Sequence, residues 1–181
     1  MLLCSPMKAL CLSLLIALAP AGSRACELAL VIALDVSRSV DKFEYVLMRN
    51  GIGDALLDED VIKLIGWMPG GMKVTVTQWG GAGQQRQAIS WRELGNRESV
   101  IDFVEDLIEI DRGFWHANTS ISEALVHADQ MFHQHENPCR RQVIDVSGDG
   151  VSNAGPEVYP IAVAVANQGV TINGLVVQGA I

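Results

Sequence analysis

The run Leu28-Ala29-Leu30-Val31-Ile32-Ala33-Leu34 is apolar at every position and stops at Asp35-Val36-Ser37-Arg38-Ser39. A strand that is apolar on both alternating faces suits the middle of a sheet covered by helices on both sides. A helical pattern starts directly afterwards, at Asp41. In open α/β sheets ligands bind outside the carboxyl ends of the strands. Residues 35, 37 and 39 place one carboxylate and two hydroxyls at such an end. These small, hard oxygen donors suit Mg²⁺, Ca²⁺ or Mn²⁺ rather than zinc or copper. Taken alone, Asp-x-Ser-x-Ser is also compatible with a strand-end turn and a helix cap.

The 181-residue chain opens with a segment that reads as a leader. Met1 to Lys8 carries one positive charge, and Ala9 to Ala19 is nearly all apolar. That core is too short to span a bilayer, and Ser23-Arg24-Ala25 fits a small-x-small cleavage rule. Residues 1–25 are therefore expected to be a signal peptide. Residues 26–181 are expected to form one domain in the periplasm or outside the cell, with no later transmembrane segment. A lipidated Cys26 is the weaker reading, because Arg24 fits a lipoprotein signal poorly. The net charge of −8 argues against nucleic acid or an anionic membrane as partner. Outside the cytoplasm Cys26 and Cys139 are allowed to pair. Each precedes a strand-like run, so adjacent parallel strands would bring them to one end of the sheet; the alternative is two inert thiols.

Downstream, Asp41 and Glu44 form a capping box, with Val40 and Tyr45 as a staple. Phe43, Val46, Leu47, Ile52, Ala55 and Leu56 are expected to make the buried stripe of that helix, with Gly51 and Gly53 packing close to the sheet. Asp58 to Ile65 reads as a short connection and Met68 to Gly71 as a turn. Lys73 to Trp79 and Gln85 to Trp91 read as an antiparallel pair around the break Gly80-Gly81-Ala82-Gly83. That break is no phosphate loop, since neither Lys-Ser/Thr nor a helix follows it. Asn96 caps a second long helix with Val100, Phe103, Val104 and Leu107 on one face. Ser120 and Glu123 suggest a further capping box, on a helix with Ile121, Leu125, Ala128 and Phe132 inward. Val143 to Val146 is a strand that ends in Ser147-Gly148-Asp149-Gly150. A helix through Val158, Ile161, Ala162 and Val165 and a strand from Val170 to Val177 complete the pattern. The order predicts a three-layer α/β open sheet, mostly parallel with one antiparallel edge strand.

Three separated pieces, Asp35/Ser37/Ser39, Thr119 and Asp149, end at the same face of such a sheet. Two carboxylates nearly neutralise a divalent cation, and three hydroxyls coordinate without adding charge. The ion keeps an electrophilic position for an acidic ligand or water.

These residues resemble the metal-ion-dependent adhesion site of von Willebrand factor type A domains. The longer wording, including Trp79-Gly80-Gly81-Ala82 and Val143 to Gly150, is also similar to secreted proteobacterial proteins whose domain is of unknown function. The resemblance implies a Rossmann-like sheet in which the strands at Leu28 and Val143 are neighbours, and hence a Cys26–Cys139 disulfide. It implies metal contact by Ser37, Ser39 and Thr119, with Asp35 and Asp149 often acting through water, and a protein partner whose carboxylate completes the shell. Three departures stand out. Ser147-Gly148-Asp149-Gly150 replaces the usual Thr-Asp-Gly, Asn118 replaces a glycine, and the usual last strand and helix are expected to be missing.

Other residues carry competing readings. Asp145 is expected to orient Ser147 or a water, or to pair with Arg140 or Arg141; Ser147 is a possible extra contact near the ion. His127, Met131, His133 and His135 have loose spacing for a zinc or copper site and read better as a solvated helix face. Trp79, Trp91 and Trp115 are either core or rim anchors. A metal-dependent hydrolase is the competing function. It lacks an evident base at a strand end, and Ser37 stands where a phosphoryl-accepting aspartate would want a second aspartate. A structural domain without activity is the third reading.

Overall fold

The computed structural model describes residues 26–114, 116–134 and 139–177. The expected leader, Trp115 and His135 lie outside the described residues. Five strands, β1 (Leu28–Asp35), β2 (Met72–Trp79), β3 (Gln85–Leu94), β4 (Arg141–Gly148) and β5 (Val170–Val176), form one sheet in the order β3-β2-β1-β4-β5. All neighbours are parallel except β2 and β3. The helices are α1 (Lys42–Leu56), α2 (Glu59–Trp67), α3 (Arg97–Glu109), α4 (Ile121–Phe132) and α5 (Val158–Ala166). The expected fold class is the one found.

Strand alternation divides the core into two layers. Ile32 and Leu34 of β1 pack with Tyr45, Met48 and Leu56 of α1, Ile62 and Ile65 of α2, and Val100, Phe103 and Leu107 of α3. Ala29 and Val31 pack on the opposite face with Leu125, Ala128 and Phe132 of α4 and Val165 of α5. This two-sided burial is why β1 has no polar position before Asp35.

Four local expectations are corrected. Residues 58–65 are mostly helix: Asp58 accepts from the N–H groups of Asp60 (2.9 Å) and Val61 (3.4 Å), and Ile62 and Ile65 are buried. A nine-residue helix is too short for its period to stand out in the sequence. In α1 the buried residues are Tyr45, Met48, Gly53 and Leu56, whereas Phe43 and Leu47 are 71% and 50% exposed. The apolar residues there outnumber what one stripe can bury, and the sequence alone does not say which are left out. Gly53 closes against Val104 of α3 rather than the sheet, since a Cβ there would lie 3.1 Å from its Cγ1. Ser120 caps α4 by position only, with no side-chain cap bond; Glu123 instead accepts from the Gly83 N–H at 2.7 Å. The boxes at Asp41/Glu44 and Asn96/Ser99 are formed in full.

Cys26 and Cys139 are joined, with 4.5 Å between their Cα atoms and 113 residues between them in sequence. The bridge lies at the amino ends of β1 and β4. Beside it Arg140 donates from Nε to both carboxylate oxygens of Glu27, at 2.9 and 2.8 Å. Closing so long a loop removes much entropy from the unfolded chain, on the order of 4 kcal/mol. Reduction is expected to lower the urea midpoint markedly. A comparison of melts with and without reductant, with a Cys26→Ser variant insensitive to it, checks this.

Candidate functional site

The strand order reverses between β1 and β4, because β1 crosses over to β2 on one side and β4 to β5 on the other. That is the topological switch point of an open sheet, and the loops after both strands meet there. Leu34 pairs with Ser147 and Asp35 with Trp79, so Asp35 stands at the carboxyl edge. Asp35 is fully buried. Its Oδ1 accepts from the Ser37 N–H at 2.7 Å, an Asx-type turn that folds the loop back on itself. Its Oδ2 is buried with no hydrogen-bond partner. Ser37 and Ser39 share a hydroxyl–hydroxyl bond of 3.1 Å, and Ser39 donates to Asp149 Oδ1 at 2.8 Å. Residues 110 positions apart in the chain are thereby brought together.

Thr119 joins them through backbone lacing. Its N–H donates to Asn153 Oδ1 (2.9 Å), and its carbonyl accepts from the N–H groups of Asn153 (2.8 Å) and Ala154 (3.1 Å). The Arg38 N–H donates to Ala117 O, and the Ser120 N–H to Gly80 O. The Thr119 hydroxyl, bonded to none of the described side chains, shares a hollow of about 180 Å³ with Ser39. The glycine break after β2 serves this approach, because a Cβ on Gly80 would lie 2.5 Å from that of Ala117.

Burial raises the Asp35 carboxyl to about 6; the Asp149 charge adds to this, while Ser37 and Arg112 oppose it. Arg112 lies between α3 and α4, outside any regular element, and its guanidinium donates to the carbonyls of Val36 (3.0 Å), Ser37 (2.6 Å) and Val40 (2.6 Å). Trp79, 1% exposed, is core: its indole N–H donates to Ala33 O at 3.1 Å. Trp91 packs on Phe132 with ring centroids 6.1 Å apart.

Two expected supports are not at the site. Asp145 points into a groove on the α1 side of the sheet and accepts from Asn173 Nδ2 at 2.7 Å; it meets neither Arg140 nor Arg141. Strand alternation sets this, since Asp145 pairs with Ile32 and shares the face that β1 turns to α1. Ser147 is buried, with its hydroxyl donating to Ala33 O at 3.3 Å. Of the histidine set, Met131 is core, His127 is half-buried and His133 caps α4. No group of three or more His, Cys, Asp or Glu able to hold a metal occurs among the described residues.

The family described as "Protein of unknown function (DUF1194)" matches residues 25–180. The chain belongs to this family. No curated protein matches the DUF1194 chain. Solved structures do. Proximal thread matrix protein 1 from the mussel byssus, "with zinc occupied MIDAS motif", is 20% identical with a TM-score of 0.65, over 83% of this chain and 38% of that one. The pilus adhesin SpaC from Lactobacillus rhamnosus GG is 12% identical, TM-score 0.61, over 83% and 24%. BatB from Bacteroides thetaiotaomicron is 21% identical, TM-score 0.60, over 82% and 66%. The DUF1194 chain thus spans well under half of the mussel and pilus proteins. At these identities the likeness establishes the fold, which is von Willebrand factor type A-like.

Because its folded pKa lies above the ordinary carboxyl value of 3.8, Asp35 favours folding fully below about pH 4 and loses that contribution as pH rises through about 6. Without divalent ions, Asp35→Asn is therefore expected to be more stable than the parent at pH 8, by up to roughly 3 kcal/mol. The difference should close by pH 4. Urea titrations in EDTA across this range check it.

Proposed function

We propose that the chain is an extracytoplasmic binding module that holds a divalent cation and offers it to a carboxylate of a protein partner. Asp35, Ser37, Ser39, Thr119 and Asp149 would hold the ion, with Mg²⁺ the expected species and Mn²⁺ or Ca²⁺ the alternatives. The buried, partnerless Oδ2 of Asp35 carries the reading. A buried carboxylate oxygen without a donor is costly, and a cation is the group that removes the cost. The donor set fits a hard ion, with two carboxylates and the rest hydroxyls. When bound, the ion would supply an electrophilic coordination position to an outside carboxylate.

Several observations support the finer points. The mussel protein's zinc-occupied MIDAS motif is a precedent for a metal on this fold. Val151, two residues past Asp149, is 84% exposed, and Phe43 near the start of α1 is 71% exposed. Exposed apolar side chains on the segments that follow the two acidic loops suit a protein partner better than a small solute. The leader-like residues 1–25 and the disulfide support an oxidising compartment, the periplasm or the exterior. No helix among the described residues is long and apolar enough to cross a membrane.

Calorimetric titration of Mg²⁺ and Mn²⁺ into the oxidised protein tests the proposal. Saturation near one ion per chain is expected, abolished by Asp35→Ala and weakened at least tenfold by Ser39→Ala, whose exposed hydroxyl is not part of the core. Affinity should fall about tenfold per pH unit below about pH 6, as protons compete for Asp35. A folded sample that binds neither ion would overturn the reading.

Gly148 gives a second test. A Cβ there would lie 2.8 Å from Asp35 Oδ2 and 3.3 Å from the Trp79 ring. Gly148→Ala is expected to weaken ion binding at least tenfold, whereas Ser147→Ala should stay within about twofold, since that hydroxyl faces Ala33 O.

A further inference from the structure

Beside the proposed ion site lies a hollow of about 180 Å³, lined by Arg38, Ser39, Ala117, Asn118, Thr119 and Asn153. It shares Ser39 and Thr119 with the ligand set, so one bound segment can reach both places. None of its lining residues is acidic, although the chain carries a net charge of −8. Its charge comes from Arg38. The Arg38 backbone is fixed, its N–H donating to Ala117 O at 2.9 Å. Its side chain is exposed and makes no hydrogen bond or ion pair with the described residues. Asn153 adds donors of known direction. Its Oδ1 is taken by the Thr119 N–H at 2.9 Å, and only the oxygen of the amide can accept. The Asn153 NH₂ group is therefore left to donate outward.

An unpaired guanidinium on an anchored backbone and an oriented amide, with no carboxylate between them, recognise a carboxylate. Charge-assisted bonds of this kind are short and strong, and guanidinium matches carboxylate with two parallel donors. We infer that the partner is an acidic protein segment with two neighbouring carboxylates, one for the ion and the other for Arg38 and Asn153. The inference rests on the proposed function and adds to it a second anchoring point. Arg38 is the middle residue of Ser37-Arg38-Ser39, so its guanidinium is carried by the loop that supplies two of the proposed ligands.

Two capped peptides test this, one holding a single aspartate and one holding Asp-Gly-Asp. Each is titrated calorimetrically into the oxidised, Mg²⁺-loaded full domain and into its Arg38→Gln variant. The expected result is at least a tenfold preference of the parent for the two-carboxylate peptide. In Arg38→Gln the preference should shrink to about twofold or less, while Arg38→Lys keeps part of it. Mg²⁺ affinity itself should be unchanged or slightly higher in Arg38→Gln, which removes a nearby positive charge without touching a ligand. Equal binding of both peptides to the loaded parent, or an undiminished preference in Arg38→Gln, would overturn the second anchor and leave the ion site standing. Failure of Mg²⁺ to bind the folded parent would overturn both.

Discussion

A carboxylate buried at the end of a central strand is the constraint on which the rest of this structure depends. Asp35 is fully enclosed and one of its oxygens has no donor. Left alone, such a group would protonate or draw its loop out to water. The loop is instead held in place by its backbone. Arg112 gathers the carbonyls of Val36, Ser37 and Val40 under one guanidinium, so the segment after Asp35 cannot swing outward without breaking three charge-assisted bonds. The same charge draws on the Asp35 carboxylate from behind. The site is thus pre-shaped by the protein, with its strain confined to one oxygen.

The segment that carries Arg112 is anchored through a polar network centred on Gln78. Gln78, fully buried on β2, donates from Nε2 to the Tyr45 hydroxyl (2.7 Å) and to Asp111 O (2.9 Å). Arg86 on β3 donates to Gln78 Oε1 (2.9 Å) and to Asp111 O (2.8 Å). Tyr45 and Arg49 of α1 both donate to Ile110 O, at 3.2 Å each. Two consecutive carbonyls just before Arg112 are therefore fixed by four side chains from three elements. A hydrogen-bonded network of this kind, with Gln78 and Tyr45 buried at its centre, gives a unique arrangement where apolar packing would allow several. It carries the rigidity of the sheet into an irregular segment that has no secondary structure of its own.

The parts legible in the sequence were those governed by short-range rules. The apolar run at Leu28, the capping box at Asp41 and the paired strands around Gly80 each follow from local pattern, and their order is enough to define the fold class. Asp35, Ser37 and Ser39 are legible as candidates because they sit two residues apart, Thr119 because it stands just ahead of a helix, and Asp149 because it follows a strand. Arg112 and Asn153 were not legible, because their roles depend on which loops the fold brings together. Gln78 did leave a trace, being a polar residue inside an otherwise buried strand, and Arg86 follows it across the hairpin. The misplaced residues share one cause. Asp145 and Ser147 pair with Ile32 and Leu34, so strand alternation turns both to the α1 side of the sheet, away from the face of Asp35.

The two ends of the sheet do different work, and the division explains how a site with a costly buried charge is tolerated. At the amino ends of β1 and β4 the Cys26–Cys139 bridge joins the two central strands covalently, and Glu27 with Arg140 reinforces the join. The register that the bridge helps hold, Leu28 opposite Arg141 through Leu34 opposite Ser147, runs to the other edge. There it sets Gly148 against Asp35, where a Cβ would meet the carboxylate at 2.8 Å. A slip of one residue would turn every side chain of β4 to the other face and put a side chain where that oxygen lies. Stability at one end of the strands therefore sets geometry at the other. The glycine that departs from the usual adhesion-site wording is the residue this register requires.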